Sequence, residues 1–470
     1  MSGDDVFEVF DSNDRLQRSR RRQLPGDPPT RGRAVLPPKE KNRSQTNHTT
    51  ATVNTNPLGG QTQDSGLSSN DLIPNQGGIN AGRDNPLLNG TFNILSIDGG
   101  GARGMIPAVI LEEVERRSGR RISSMFHRIC GSSTGAILAC ALAAPESAGS
   151  TEPMFRAREI VEIYRTLGSE VFSRGSFNDT VIEPMEFLLG PPLNLGWIVP
   201  HIFEAIDMVA DVWARLNAPL HDIQKLAYLL YGYLGDLQMD DALTELFVYA
   251  YEIGSRTLEV IGSMESSIRG GDYSRYRMYQ AATASSAAVP FFAPYTVWRH
   301  PAEPIRFDGP TQHAYPYIAG SGDSFTLVDG GNGGLGNPAL FAAFEETEKS
   351  LGGHAKTVLS LGTGHYSEPV PSAAIGGFVQ WLGEGGELLK CLFDGESDAT
   401  DMLLHKLEGP SLKYFRWQPT IPEYLAFLDE GSVEDMNALE DVARTYIADP
   451  EIDEQIDELV ERVDRWTVFA

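Results

Sequence analysis

Four short apolar runs in this chain end in glycine-rich turns. FNILSI (92–97) runs into DGGGARG (98–104), and MFHRICG (125–131) into GSSTG (131–135). SFTLVD (324–329) runs into GGNGG (330–334), and KTVLSLGTG (356–364) repeats the arrangement. After the first turn, MIPAVILEEVERRSG places Ile106, Val109, Ile110 and Val114 on one helical face. After the second, TGAILACALAA (134–144) reads as a small-residue helix that stops at Pro145. Strand, sharp turn and helix in repetition predict an α/β fold with a mainly parallel sheet. In open α/β sheets, ligands collect outside the carboxyl ends of the strands, so the glycines lie where a site is expected.

The rest of the chain divides by composition. Residues 1–91 are rich in Asn, Gly, Pro, Ser, Thr and Gln and lack apolar periodicity, which predicts a disordered tail. Inside it, RLQRSRRRQ (15–23) is a basic cluster. Basic and acidic residues nearly balance over the tail, so the net charge of −26 belongs to residues 92–470. An acidic body argues against nucleic acid as a partner. Residues 150–245 read as mostly helical, with a helical insertion at about 170–240. Within it, 195–216 carries Ile202, Ile206, Val209, Val212, Trp213 and Leu216 at helical spacing, which fits a lid, a membrane contact or plain core packing. LFVYAYEIG (246–254) and TLEVIGS (257–263) read as paired strands, YQAATASSAAVPFF (279–292) as a helix ending near Pro290, and the last 45 residues as acidic helices. Cys130, Cys140 and Cys391 lack metal-site spacing, so no metal and no cofactor are expected. With no apolar run of transmembrane length and no signal-peptide core, the expected location is cytoplasmic, with transient visits to a membrane surface.

GSSTG fits G-x-S-x-G, in which small neighbours permit a strained strand-to-helix elbow that pushes the Ser133 hydroxyl outward. A serine nucleophile needs a base. His354, His365 and His405 lie downstream without a marking motif, whereas Asp329 ends a strand and is followed by Gly330 and Gly331. A carboxylate is a weak base at its free pKa of about 3.9, and a dry pocket raises it. A Ser133–Asp329 dyad is therefore workable without histidine. Acyl transfer also requires N–H donors for a tetrahedral oxyanion. Gly99, Gly100 and Gly101, with Thr134 after the nucleophile, are the candidates, at a helix start whose dipole favours negative charge. Arg103 would add positive charge or brace the loop, and Gly104, Gly131, Gly135, Gly330 and Gly331 would support the turns. GGGARG also satisfies the G-x-G-x-x-G of a nucleotide loop, but that context wants an acidic residue closing a second strand, and here the chain delivers Ser133.

DGGGARG, then GSSTG, then a distant DGG resembles the patatin-like phospholipases. AATASSAAVPFFAPY, LVDGGNGGLGNPAL and LSLGTG resemble further stretches of that family. The likeness covers roughly 92–365 and is looser to about 465. Ala136 stands where a further glycine is common, and Asn332-Gly333-Gly334 enriches the aspartate loop in glycine. The resemblance implies a three-layer α/β/α sandwich. Its catalytic domain would be 92–365, followed by a C-terminal helical extension over 366–470. It also implies a serine-dependent lipid acyl hydrolase of phospholipase A type, with Ser133 as nucleophile, Asp329 as base, Gly99 to Gly101 lining the oxyanion hole, and phospholipid or another acyl lipid as substrate. A storage or lipid-binding protein on the same fold, and a ligand-regulated membrane-degrading effector, remain as alternatives.

Overall fold

The computed structural model describes residues 91–171, 219–268, 276–298, 324–347, 354–367, 387–426, 428 and 431–464. The tail with its basic cluster, and the apolar stretch 195–216, lie outside the described residues.

Eight strands form one mixed sheet. In chain order they are β1 (Thr91–Ile97), β2 (Arg128–Ser132), β3 (Glu245–Glu252), β4 (Thr257–Gly262), β5 (Tyr295–Trp298), β6 (Ser324–Asp329), β7 (Ala355–Leu361) and β8 (Leu412–Trp417). The spatial order is β5-β6-β3-β2-β1-β7-β8, with β4 also paired to β3. The five strands from β3 to β8 along this path are mutually parallel, and β4, β5 and β6 add antiparallel pairs at one side.

Strand alternation sorts the core into two layers. From β1, Leu95 and Ile97 join the larger cluster, packed under helices α1 (Met105–Ser118), α2 (Ile122–Met125), α3 (Thr134–Ala143), α4 (Ala157–Val171), α5 (Ile223–Leu234) and α6 (Met278–Ser285). Phe92 and Ile94 face the opposite cluster, closed by α7 (Ala339–Phe344) and by Leu404 of α8 (Glu387–Leu407). Helices α9 (Val433–Ile447) and α10 (Pro450–Asp464) pack on the larger side through Met436, Leu439, Ile456 and Leu459. Helices on both faces of a mostly parallel sheet make the expected α/β/α sandwich. α3 is buried at all ten positions, which explains its lack of a polar stripe.

Two local expectations change. The small-residue helix stops at Ser285 rather than near Pro290, and just after it the Ala287 carbonyl accepts the Asp329 N–H at 3.1 Å. The 366–470 segment is not helical throughout: LKYFRW forms β8, hydrogen-bonded in parallel to β7 from Lys356↔Leu412 to Leu361↔Trp417.

Candidate active site

Ser133 sits where β2 hands over to α3, with φ 53° and ψ −126°. A non-glycine residue at positive φ is strained and persists only where its surroundings enforce it. Here they do. A Cβ at Gly131 would overlap the backbone of Gly135, and a Cβ at Gly135 would overlap the carbonyl of Ile97. The Ser133 N–H donates to Ser285 Oγ at 2.9 Å, and the Ser285 hydroxyl donates onward to the Tyr249 carbonyl at 2.5 Å. α6 thus braces the elbow from the side.

Sheet topology delivers Asp329. β4 occupies one edge of β3. Along the other edge, β2 and β6 approach from opposite directions, with Ser132 opposite Tyr249 and Asp329 opposite the next residue, Ala250. One residue along a strand is about 3.3 Å, so the two strand ends meet head to head. Gly330 makes the junction feasible, since a Cβ there would overlap Ser132 Oγ and stand 2.7 Å from the Tyr249 carbonyl oxygen.

Asp329 is 3% exposed. Its Oδ1 accepts the Gly331 N–H at 2.7 Å, while the buried Oδ2 has no completed hydrogen bond. Burial raises the carboxyl to about 6; the nearby Ser133 hydroxyl and the N–H groups of Gly331 and Asn332 limit the rise. Asn332 clips this loop in place: its Oδ1 accepts the Val289 N–H at 2.9 Å and its Nδ2 donates to the Val289 carbonyl at 3.2 Å.

The donor loop is only partly as expected. The Gly99 N–H donates to the Gly336 carbonyl at 2.9 Å, so it is not free to meet an oxyanion. Gly99 instead lines the cleft and lets the loop pass close to the serine, where an added Cβ would come 3.0 Å from Ser133 Cβ. The N–H groups of Gly100, Gly101 and Thr134 carry no hydrogen bond among the described residues. Gly101 has φ 55°, and a Cβ there would overlap the Leu428 carbonyl. Gly104 gives room to Thr134 Oγ1 and the Tyr164 ring, and the Tyr164 hydroxyl donates to the Thr134 carbonyl at 2.6 Å. Arg103 lines the cleft; burial lowers its pKa to about 10, opposed by Asp394.

These groups open into a cleft of about 1120 Å³, its mouth included. Its lining is mostly apolar, with Ile137, Leu167, Leu226, Phe291, Phe292 and Leu428, and the C-terminal segment adds Asp394, Ser397 and Gln418. None of the described residues lining it is a histidine. Below the donor loop, Asp98 Oδ2 accepts from Arg416 of β8 at 2.6 Å, and both side chains are almost fully buried. Ser285, Asn332, Tyr164 and Arg416 were not anticipated from sequence. The serine pair in AATASSAAVPFF was the one available signal, because the other contacts join segments far apart in the chain.

A model of the family described as patatin-like phospholipase matches residues 95–342. Among curated relatives, Patatin-2-Kuras 4 of Solanum tuberosum is 27% identical over 293 residues, covering 58% of this chain and 63% of that protein. The match thus spans somewhat less than two thirds of that relative's length. Patatin-like protein 2 of Arabidopsis thaliana is 25% identical over 382 residues, covering 75% of this chain and 82% of that protein. Among solved structures, the crystal structure of VipD from Legionella pneumophila covers 80% of this chain and 74% of its own, at 13% identity and a TM-score of 0.24.

Proposed function

From a chain that belongs to the patatin-like phospholipase family, whose members act at family level as lipid acyl hydrolases, we propose a serine hydrolase that cleaves ester-linked fatty acids from phospholipid or galactolipid. The observation that carries this reading is the head-to-head meeting of β2 and β6 on β3, beside a cleft with a largely apolar lining. On this reading 92–365 is the catalytic domain, with an insertion at about 170–240, and 366–470 is an extension that contributes Asp394, Ser397 and Gln418 to the lining of the cleft.

The ionised Asp329 takes the proton of Ser133, and Ser133 Oγ attacks the ester carbonyl carbon. Gly100, Gly101 and Thr134 N–H groups stabilise the oxyanion; removing one such donor typically costs about 10²–10³ in rate. Collapse breaks the ester C–O bond, and Asp329 returns the proton to the departing alcohol. Water, deprotonated by Asp329, then releases the fatty acid and restores Ser133. The apolar lining takes the acyl chain. The substrate reaches the cleft by transient contact with a membrane surface, and among the described residues no helix is long and apolar enough to cross a membrane.

The test is turnover of p-nitrophenyl butyrate and of phosphatidylcholine vesicles by the full chain and by Ser133→Ala. Turnover of both by the full chain, lost in the variant, is expected. Lipid binding without turnover by the unaltered chain would favour the storage or lipid-binding alternative.

A further inference from the structure

The loop that starts at Asp329 is held at its far end from outside the family match. Glu396 Oε2, on α8, accepts the N–H of Gly336 and of Asn337, each at 2.9 Å, and Oε1 accepts the Thr400 hydroxyl at 3.2 Å. Gly336 is the residue whose carbonyl accepts the Gly99 N–H. One carboxylate oxygen therefore grips the base-bearing loop at the point where that loop grips the donor loop. Catalytic donors must keep their geometry to within a fraction of an ångström, and a misplacement of about 1 Å can cost 10²-fold.

We propose that Glu396 is a positioning residue, whose carboxylate sets the spacing between the Asp329 loop and the Gly100–Gly101 donors. The proposal rests on the Ser133–Asp329 reading above. Hydrogen bonds to an ionised acceptor are about twice as strong as neutral ones, so the grip depends on the charge of Glu396. Around it stand Asp98 at the end of β1, Arg416 of β8 paired with Asp98, and Tyr414 of β8 bonded to Asp401. Asp401 and Asp394 lie on its own helix, with Arg103 of the donor loop near Asp394. Burial and the like charge of Asp98 raise Glu396 to about 7, against the pull of the Asn337 and Gly336 N–H groups and the Thr400 hydroxyl. The grip is thus tight above neutrality and slack below it.

Turnover of p-nitrophenyl butyrate by the full chain is followed from pH 5 to 9 for the unaltered protein, Glu396→Gln and Glu396→Ala. The unaltered protein is expected to gain kcat in two steps, near pH 6 from Asp329 and near pH 7 from Glu396. Glu396→Gln keeps an acceptor oxygen but cannot ionise, so the upper step disappears. Glu396→Ala loses the acceptor, and kcat falls about 10- to 100-fold with KM within about twofold. Glu396→Gln recovers about tenfold over Glu396→Ala. Gly336→Ala, whose methyl would stand 3.2 Å from Oε2, gives a second variant that shifts the upper step without touching the carboxyl group. Persistence of the upper step in Glu396→Gln overturns the proposal, as does a lowered Tm in Glu396→Ala with kcat and pH profile unchanged. If Ser133→Ala is dead while Glu396→Gln matches the unaltered profile, only this proposal fails. If Ser133→Ala keeps full rate, the dyad reading fails and takes the proposal with it.

Discussion

Burying a carboxyl beside a serine gives it basicity and costs the fold stability, and Asp329 is subject to both. With its pKa raised to about 6, the base form fills only as pH rises through that value, so the lower step of the acid limb of kcat/KM should lie there. The stability term has the opposite sense. It is fully present below the ordinary 3.8 and is lost as pH rises through about 6. Asp329→Asn should therefore lose most of kcat yet raise Tm above pH 6, with the gain vanishing near pH 4. Its double variant with Ser133→Ala should lose little more rate than either single one. An Asp329→Asn variant with lower Tm at pH 8, or fully additive rate losses, would separate the two residues. The positions of the candidate pair, Ser133 on the elbow after β2 and Asp329 at the end of β6, were legible because each sits between a strand and glycines that only a tight turn requires. Gly99 was misjudged as a donor, because its N–H is taken by Gly336, more than two hundred residues away in sequence.

At the scale of elements, the sandwich was legible from its alternating apolar runs, but β8 was not. LKYFRW carries Lys413 and Arg416, and a strand with inward charge hides the usual alternation. Arg416 is there because Asp98 is there. It also donates to Ser360 at 2.8 Å and Ser397 at 2.9 Å, joining β8, β7 and α8 under the donor loop. Removing one member of a buried pair leaves an uncompensated charge and costs about 3–5 kcal/mol. Arg416→Met should lower the unfolding free energy by about that much in urea titrations, and adding Asp98→Asn should recover part of it. A single-variant loss below about 1 kcal/mol would mean that β8 is not tied to the donor loop through this pair.

Across the whole molecule, electrostatics set activity against stability. The chain carries −26, and burial raises two carboxyls, the buried Asp329 to about 6 and the half-buried Glu396 to about 7. Their stabilising contributions are present below about 4 and fade as pH rises to about 7. Glu113 works the other way: hydrogen bonds from Arg116 and Arg117 hold it near 2, so its contribution exists above 4.5 and is lost in stronger acid. Tm should therefore peak near pH 5 while kcat is still rising, and a shared optimum near pH 8 would contradict this balance. The central claim is that Ser133 is a nucleophile activated by Asp329 without a histidine. Mass mapping after reaction with a fluorophosphonate tests it most directly. The predicted result is one phosphonyl group per chain, on Ser133, absent in Ser133→Ala and formed at least about 100-fold more slowly in Asp329→Asn. Label on another residue, or undiminished labelling of Ser133 in Asp329→Asn, would contradict the account.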